Sequence, residues 1–327
     1  MKLGFLGVGW IGRDRMRAIC ASGLAEAALV ADVSPEAAAA AAAETGAQVA
    51  TAQELLTAGL DGVVIATPSA LHAEQAVTAL DHGMAVFCQK PLARTAAETA
   101  AVVDAARRAD RLLGVDLSYR HLAATAAMRS VLDSGELGEI YAADLKFHNA
   151  YGPDKPWFRD PLLSGGGCVI DLGTHLVDLA LHLLGCAAAA SDIEAVTSRL
   201  FAAGRPLRGR DDVVEDLAVA RVDLRGGPVV TLACSWNLHA GQEAVIAASF
   251  YGTNGAVELS NVDGSFYDFR ASRHTGTSTA PLAEPPDDWG GRAAVAWARR
   301  LSGGERFDPA AGELVGTATV IDRIYGR

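Results

Sequence analysis

The sequence predicts an α/β protein of two domains, a helix-wrapped parallel sheet followed by an α+β domain built on an antiparallel sheet. Three observations carry this. Up to about Leu117, short β-branched runs alternate with longer alanine-rich stretches, the pattern of repeated strand-helix units. A glycine-rich turn, Gly7 to Gly12, joins the first strand to the first helix. After a helix at about Leu122–Asp133, long alternating strands separated by hairpin signals replace the strand-helix rhythm. Residues 1–118 are expected to form the first domain and 119–327 the second, each long enough to bury its own core.

In the first domain, strands are expected at Lys2–Gly7, Ala27–Asp32, Gly62–Ala66, Ala85–Cys88 and Arg111–Val115. Helix starts fix the phase between them. Ser34 with Pro35 is an N-cap followed by a proline at the first helical position, and Thr51 with Glu54 and Thr95 with Glu98 fit the capping box. The run Ala37–Ala43 follows its cap directly and reads as a small-faced helix, since alanine is the best helix former. In the second domain, strands are expected near Glu139–His148, Asp192–Phe201, Val214–Asp223, Val229–Leu238, Ala244–Tyr251 and Ala256–Ser260. The turns Arg225-Gly226-Gly227-Pro228 and Thr253-Asn254-Gly255 separate them, and helices are expected at Val169–Leu184, Arg292–Leu301 and Pro309–Tyr325.

Half of the residues are hydrophobic, 20% charged and 6% aromatic, a globular balance that excludes a disordered chain. With 39 acidic and 28 basic residues the net charge is −11, so the long-range field repels phosphate backbones and anionic membrane surfaces. Nucleic acid is not an expected partner. Cys20, Cys88, Cys168, Cys186 and Cys234 form no CxxC pair and read as free thiols of a reducing cytoplasm. The apolar start is interrupted by glycines and followed by Arg13, Asp14, Arg15 and Arg17, which is not the pattern of a signal peptide. The most apolar later stretch, Leu176–Ala190, contains Asp178 and His182 and falls short of the roughly 18 apolar residues of a membrane span. A cytoplasmic protein without a membrane partner is expected.

Gly7-Val8-Gly9-Trp10-Ile11-Gly12 has the strand, the helix and the acidic residue about 20 positions on, Asp32, that a dinucleotide-binding turn needs. Gly7 permits the tight turn, Gly9 lets the backbone approach a pyrophosphate, and Gly12 lets helix and strand pack closely. Asp32 is placed to accept hydrogen bonds from the adenosine ribose hydroxyls. A 2′-phosphate there would meet a repulsion of up to about 4 kcal/mol at ~4 Å and an effective dielectric near ~20. NAD is therefore the expected cofactor and NADP the lesser one, with Arg13 as the cation that could turn toward a phosphate. A cap on the following helix is the alternative role for Asp32.

Two further motifs carry chemistry. Cys88-Gln89-Lys90-Pro91 ends a parallel strand on the side where open α/β sheets bind ligands. Gly165-Gly166-Gly167, Asp171, Gly173 and His175 open the long helix, with Asp171 and His175 four residues apart and Asp178 and His182 continuing the stripe. An alcohol oxidation needs a base, a charge for the developing alkoxide and a hydride acceptor, and His175, Lys90 and a nicotinamide can fill these roles, with Asp171 orienting the imidazole. A buried core histidine and a solvated surface lysine are the plainer readings. A metal bound by Asp171, His175, Asp178 and His182 is a further alternative, although the HExxH spacing is missing and no metal is expected.

With these pieces in order, the chain resembles the glucose-fructose oxidoreductase / inositol dehydrogenase / MocA family of NAD(P)-dependent oxidoreductases along essentially its whole length. The matching segments are GVGWIG, Asp32 in VADVSPE, ATPSALH with Thr67, Pro68 and His72, QKPLA with Lys90, SYRH at Ser118–His121, and GGGCVIDLGTHLVD. The resemblance implies a Rossmann domain, then a C-terminal α+β domain with a large open antiparallel sheet that supports a homodimer or homotetramer, and reversible oxidation of sugar or cyclitol hydroxyls. It implies Lys90, Asp171 and His175 as the catalytic set. Gly7, Gly9, Trp10, Ile11, Gly12, Asp32, Thr67, Pro68, His72, Gln89 and Lys90 would bind the cofactor. Lys90, Arg120, Trp157, Asp171 and His175 would bind substrate. Two positions depart from the family pattern: Gln89 stands where a glutamate precedes the lysine, and Arg15 where a histidine follows the glycine turn. An NAD-dependent glycoside hydrolase of the same fold and a dinucleotide-sensing protein are the other readings. The first would hold NAD without net NADH production, and the second would have no use for Lys90 or His175.

Overall fold

The computed structural model describes residues 1–185, 192–207 and 212–327, so Cys186 and the end of the apolar stretch Leu176–Ala190 lie outside the described residues. The chain divides into two compact units: Met1–Ser118 with Gly290–Val315, and Tyr119–Trp289 with Gly316–Arg327. The expectation that 119–327 form one domain is corrected on this point, because the segment Gly290–Val315 packs with the first unit.

In the first unit, β1 (Lys2–Leu6), β2 (Glu26–Ala31), β3 (Gln48–Val49), β4 (Gly62–Ile65), β5 (Ala85–Cys88) and β6 (Leu113–Val115) form one sheet in the order β3-β2-β1-β4-β5-β6, every neighbouring pair parallel. The order reverses between β1 and β4, which creates the crevice where doubly wound sheets bind ligands. Both faces are buried, as a parallel sheet requires. Leu6, Val63, Ile65, Val86 and Cys88 belong to one core cluster, while Leu3, Phe5, Val64, Ala85 and Phe87 belong to another. The alternation along β4 and β5 assigns the two clusters to opposite faces. The caps hold as read at Ser34, whose hydroxyl accepts from Ala37 N–H, and at Thr51, whose box with Glu54 is complete. At Thr95 only half of the box forms, because the Glu98 carboxylate turns to the backbone N–H and guanidinium of Arg94.

The returning helix Arg292–Ser302 explains why Gly290–Val315 joins this unit. Its Trp297 lies 5.6 Å from Phe87, centroid to centroid, and a Cβ at Gly62 or Gly114 would come within 2.9 or 2.7 Å of the indole. Two bare positions on β4 and β6, the strands on either side of β5, therefore make the seat for one tryptophan. A buried tryptophan of this kind contributes on the order of 3–5 kcal/mol relative to alanine.

The second unit carries nine strands: β7 (Ile140–Asn149), β8 (Ile193–Ala202), β9 (Arg205–Pro206), β10 (Leu217–Leu224), β11 (Val229–Ser235), β12 (Ala244–Gly252), β13 (Gly255–Asn261), β14 (Phe269–Thr275) and β15 (Ser278–Ala283). Their order is β15-β14-β13-β12-β7-β11-β10-β8-β9, antiparallel except for the central β7–β11 pair. The sequence signals missed β14, β15 and the two-residue strands β3 and β9. Alternate residues of the central strands, among them Leu145, Phe147, Leu232, Cys234, Ile246 and Ala248, form one core with Leu176, Val177 and Leu179 from the helix Thr174–Leu183.

The expected helix Val169–Leu184 is not uniform: Val169–Gly173 is π-helical and Thr174–Leu183 α-helical. Its start is held by Glu215, whose buried carboxylate accepts from the N–H groups of Gly167 and Val169 at 2.9–3.1 Å and from the Tyr325 hydroxyl at 2.8 Å. A Cβ at Gly167 would lie 1.9 Å from the Glu215 carbonyl oxygen, so this close approach needs glycine. Burial raises the Glu215 pKa above 4.5, against the opposing pull of hydrogen bonds led by that of Val169. A carboxyl with a raised folded-state pKa adds stability below its unfolded value, and that contribution is lost as pH rises through the folded value. The stability advantage of the wild type over Glu215→Gln should therefore shrink as pH rises from 4.5, measured by urea denaturation at several pH values. A pH-independent difference between the two proteins would refute this role.

Candidate functional site

In the first unit the expected cofactor residues gather at the carboxyl ends of the parallel strands. Gly7 takes φ +82°, and a Cβ there would meet the Ala66 carbonyl at 2.6 Å; one at Gly12 would lie 2.0 Å from the Gly7 oxygen. These two glycines are required by the chain's own packing. Gly9 differs, because a Cβ there would meet no protein atom within 4 Å, so the bare backbone serves an approach from outside. The helix Trp10–Ala21 begins at Gly9 with no side-chain cap and no acid in its first turn, a start that suits an anionic ligand. Trp10 is 76% exposed and Ile11 half-buried beside it.

Asp32 follows β2 and uses both carboxylate oxygens: Oδ2 accepts from Val8 N–H at 2.7 Å and Oδ1 from Ser34 N–H at 2.9 Å. It thus fixes the glycine turn and also contributes to the start of the next helix, while Ser34 remains the N-cap. Each oxygen keeps capacity for a further donor. Arg13, the cation that could have answered a 2′-phosphate, is engaged instead with Glu44, which also accepts from Arg17 at 2.6 and 3.1 Å. The hydrogen bond from Arg13, then that from Arg17, holds the Glu44 carboxyl down at about 2.

Thr67 and Pro68 follow β4, and the Thr67 hydroxyl donates to Gln75 Oε1 at 2.6 Å. His72 is fully buried, with Nδ1 2.7 Å from the Pro91 carbonyl and Nε2 2.7 Å from the Thr67 carbonyl. The ring is thus enclosed between the loop after β4 and the loop after β5, its nitrogens facing carbonyls of both. Burial lowers its pKa, as does nearby Lys90, while the two carbonyls oppose the shift.

Gln89 and Lys90 follow β5, and Asp116 follows β6. Asp116, 1% exposed, accepts from Arg15 Nε at 2.6 Å and from Gln89 Nε2 at 2.5 Å on the same oxygen, and from the Ser118 hydroxyl on the other. Arg15 also donates to Ser118 Oγ at 3.2 Å and to Asp14. Breaking a buried pair of this kind costs about 3–5 kcal/mol, because the remaining charge is left without compensation. The two departures from the family pattern, at positions 15 and 89, thus meet on one carboxylate that the sequence reading had passed over.

In the second unit, every residue from Ser164 to Leu181 is buried except Asp171 and His175, which are half-buried. These are the two residues of the segment expected to do chemistry. Asp171 Oδ2 accepts from the Trp236 indole N–H at 3.1 Å, and His175 packs against Tyr119, ring centroids 4.8 Å apart at 60°. Burial, and then the Asp171 carboxylate, pushes the Tyr119 phenol up, so it stays neutral. The π-helical turn ends between the two residues, a distortion common at functional sites. The four-residue stripe does not continue as expected. Asp178 is buried and bound by Arg120 through two hydrogen bonds at 2.6 and 2.9 Å, so the Arg120 guanidinium braces this helix. Among the described residues no group of three or more His, Cys, Asp or Glu side chains forms a metal-binding cluster. Trp157 stacks on Phe158 at 3.8 Å, and Phe158 meets Trp236 edge-on at 6.5 Å, so the expected substrate aromatic is linked by contact to the residue holding Asp171.

Sequence reasoning missed Tyr119, Asp116, Glu215 and Trp236 as site residues. Tyr119 lies inside the SYRH segment, and Asp116 follows a parallel strand as Lys90 does, so both had a signal. Glu215 and Trp236 had none nearby.

Among the described residues no helix is long and apolar enough to cross a membrane. Residues 1–117 match the oxidoreductase family with an NAD-binding Rossmann fold, and residues 125–258 match the GFO/IDH/MocA C-terminal domain. Similar curated proteins include D-glucoside 3-dehydrogenase of Escherichia coli (strain K12), 29% identical over 212 residues, covering 63% of this chain and 60% of that protein. Levoglucosan dehydrogenase of Pseudarthrobacter phenanthrenivorans is 30% identical over 221 residues, 60% of this chain and 54% of its own length. The chain thus matches less than two thirds of the length of either relative. A solved structure of levoglucosan dehydrogenase with NADH superposes with a TM-score of 0.82 at 23% identity, over 99% of this chain and 95% of that one, which shows a shared fold. With both of its domains matched in order, the chain belongs to the Gfo/Idh/MocA oxidoreductase family.

Proposed function

We propose that this chain is an NAD-dependent oxidoreductase that exchanges a hydride with a secondary hydroxyl, or the matching ketone, of a sugar or cyclitol. The observation that carries the reading is the exposure of Asp171 and His175 alone in the otherwise buried stretch Ser164–Leu181. The dinucleotide cradle of the first unit and the relatives named as sugar dehydrogenases support it. NAD, when bound, accepts the hydride. His175 takes the hydroxyl proton, Asp171 orients the imidazole, and Lys90 stabilises the developing alkoxide through a charge-assisted hydrogen bond. Trp157 contributes an aromatic face to substrate binding, and Arg120 acts through its hold on Asp178.

NAD would be favoured over NADP because the Asp32 carboxylate at the glycine turn would meet the adenosine ribose, while Arg13 is held by Glu44. The ratio of kcat/KM values should favour NAD at least about tenfold, and a preference for NADP would overturn the electrostatic reading.

We further propose a cytoplasmic homodimer or homotetramer formed through the nine-stranded sheet, where Tyr141, Val219 and Tyr251 are exposed. Light scattering at micromolar concentration should find it, and a monomer would refute it.

Lys90→Ala should lose most turnover while still binding NAD. His175→Ala should lose about 10²–10⁴ in rate, together with the pH dependence of the base. Asp171→Asn should cost less, since the amide keeps an acceptor but loses the charge that favours a protonated imidazole. A substrate panel of sugars and cyclitols, read as NADH formation, supplies the assay. Wild-type turnover by all three folded variants would end the catalytic assignment.

A further inference from the structure

Gln89 is 9% exposed and its side-chain amide lies against a carboxylate, Asp116 Oδ2, at 2.5 Å. An ionised carboxylate only accepts hydrogen bonds, so the NH₂ arm must face it and the carbonyl oxygen must be the other arm. Arg15 Nε shares that same Asp116 oxygen at 2.6 Å and compensates its charge. The other charged or titratable neighbours are Asp14, which binds Arg15, and Cys88 and Lys90 on either side of Gln89. The Cys88 thiol is pushed up by burial and then by the Asp116 charge.

We propose that Asp116, braced by Arg15, is a positioning residue that orients the Gln89 amide, so that its neutral carbonyl oxygen accepts a hydrogen bond from a ribose hydroxyl of the bound dinucleotide. The proposal rests on the NAD-binding reading above. It makes residues 89 and 116 one unit. A glutamate at 89 would set two carboxylates against each other, a pair that ionises only at a cost or holds a proton between them. An asparagine at 116 would restore a donor facing that glutamate, leaving one carboxylate, one amide and Arg15 with the two partners exchanged.

The test is NADH binding by fluorescence titration between about pH 6 and pH 9, with melting temperatures recorded in parallel. Gln89→Glu should bind NADH about tenfold or more weakly than the wild type at the alkaline end, with the gap narrowing toward pH 6 as the carboxylate pair takes up a proton. The double variant Gln89→Glu/Asp116→Asn should return to within about threefold of the wild type at every pH. Gln89→Met, which keeps the length but has no amide, should lose affinity without the pH dependence, and it stands in if Gln89→Glu does not fold. Wild-type affinity in Gln89→Glu or in Gln89→Met, or a double variant as weak as the single, would overturn the proposal. If the wild type itself bound no NADH, the cofactor reading would fall. An alkaline drop in the melting temperature of Gln89→Glu, relieved by Asp116→Asn, would then still report the pairing separately.

Discussion

The first unit depends on the contact between the Gly7 carbonyl and the backbone of Gly12, a distance that no Cβ can enter. Any side chain at position 12 would force the helix Trp10–Ala21 away from β1, and any at position 7 would strike the Ala66 carbonyl. The strand, the helix and the loop after β4 are therefore fixed by one crowded point. From there the constraint passes outward: Asp32 secures the turn by accepting from Val8 N–H, and the buried His72 ring lies between the carbonyls of Thr67 and Pro91, beside Lys90. A turn made for close backbone packing thus also fixes the loop that carries the lysine.

The second unit places its chemical pair differently. Asp171 and His175 are exceptions in a buried stretch, so their orientation is set by what surrounds that stretch. Glu215 satisfies the start of the helix, Trp236 holds Asp171, and Tyr119 lies against His175. The helix is packed on nearly every side, and the proton transfer proposed for His175 would depend on such a fixed setting of the imidazole.

What the sequence revealed was local. Caps at Ser34 and Thr51, the glycine turn and the strands β1, β2, β4 and β5 are written within a few residues of themselves, and they appear as read. What escaped depends on distant partners. Gly62 and Gly114 look like weak strand residues until Trp297 arrives from far along the chain to occupy the space they leave. The π-helical turn at Val169–Gly173 has no sequence signature apart from its glycine loop, and the carboxylate that secures its start is 46 residues away from Val169. Asp116 is different, since the rule that pointed to Lys90 at a strand end applies to it equally.

The basic side chains around the nucleotide cradle form closed groups, and this bears on specificity more than any single residue does. Arg13 and Arg17 converge on Glu44, and Arg15 on Asp116 and Asp14. Recruiting Arg13 to a 2′-phosphate would leave Glu44 short of a partner while bringing that phosphate toward Asp32. Both changes oppose NADP. On the proposed NAD reading the choice of dinucleotide would be distributed: Asp32 would set the sign of the field at the ribose, and Glu44, outside the glycine fingerprint, would keep Arg13 from reversing it.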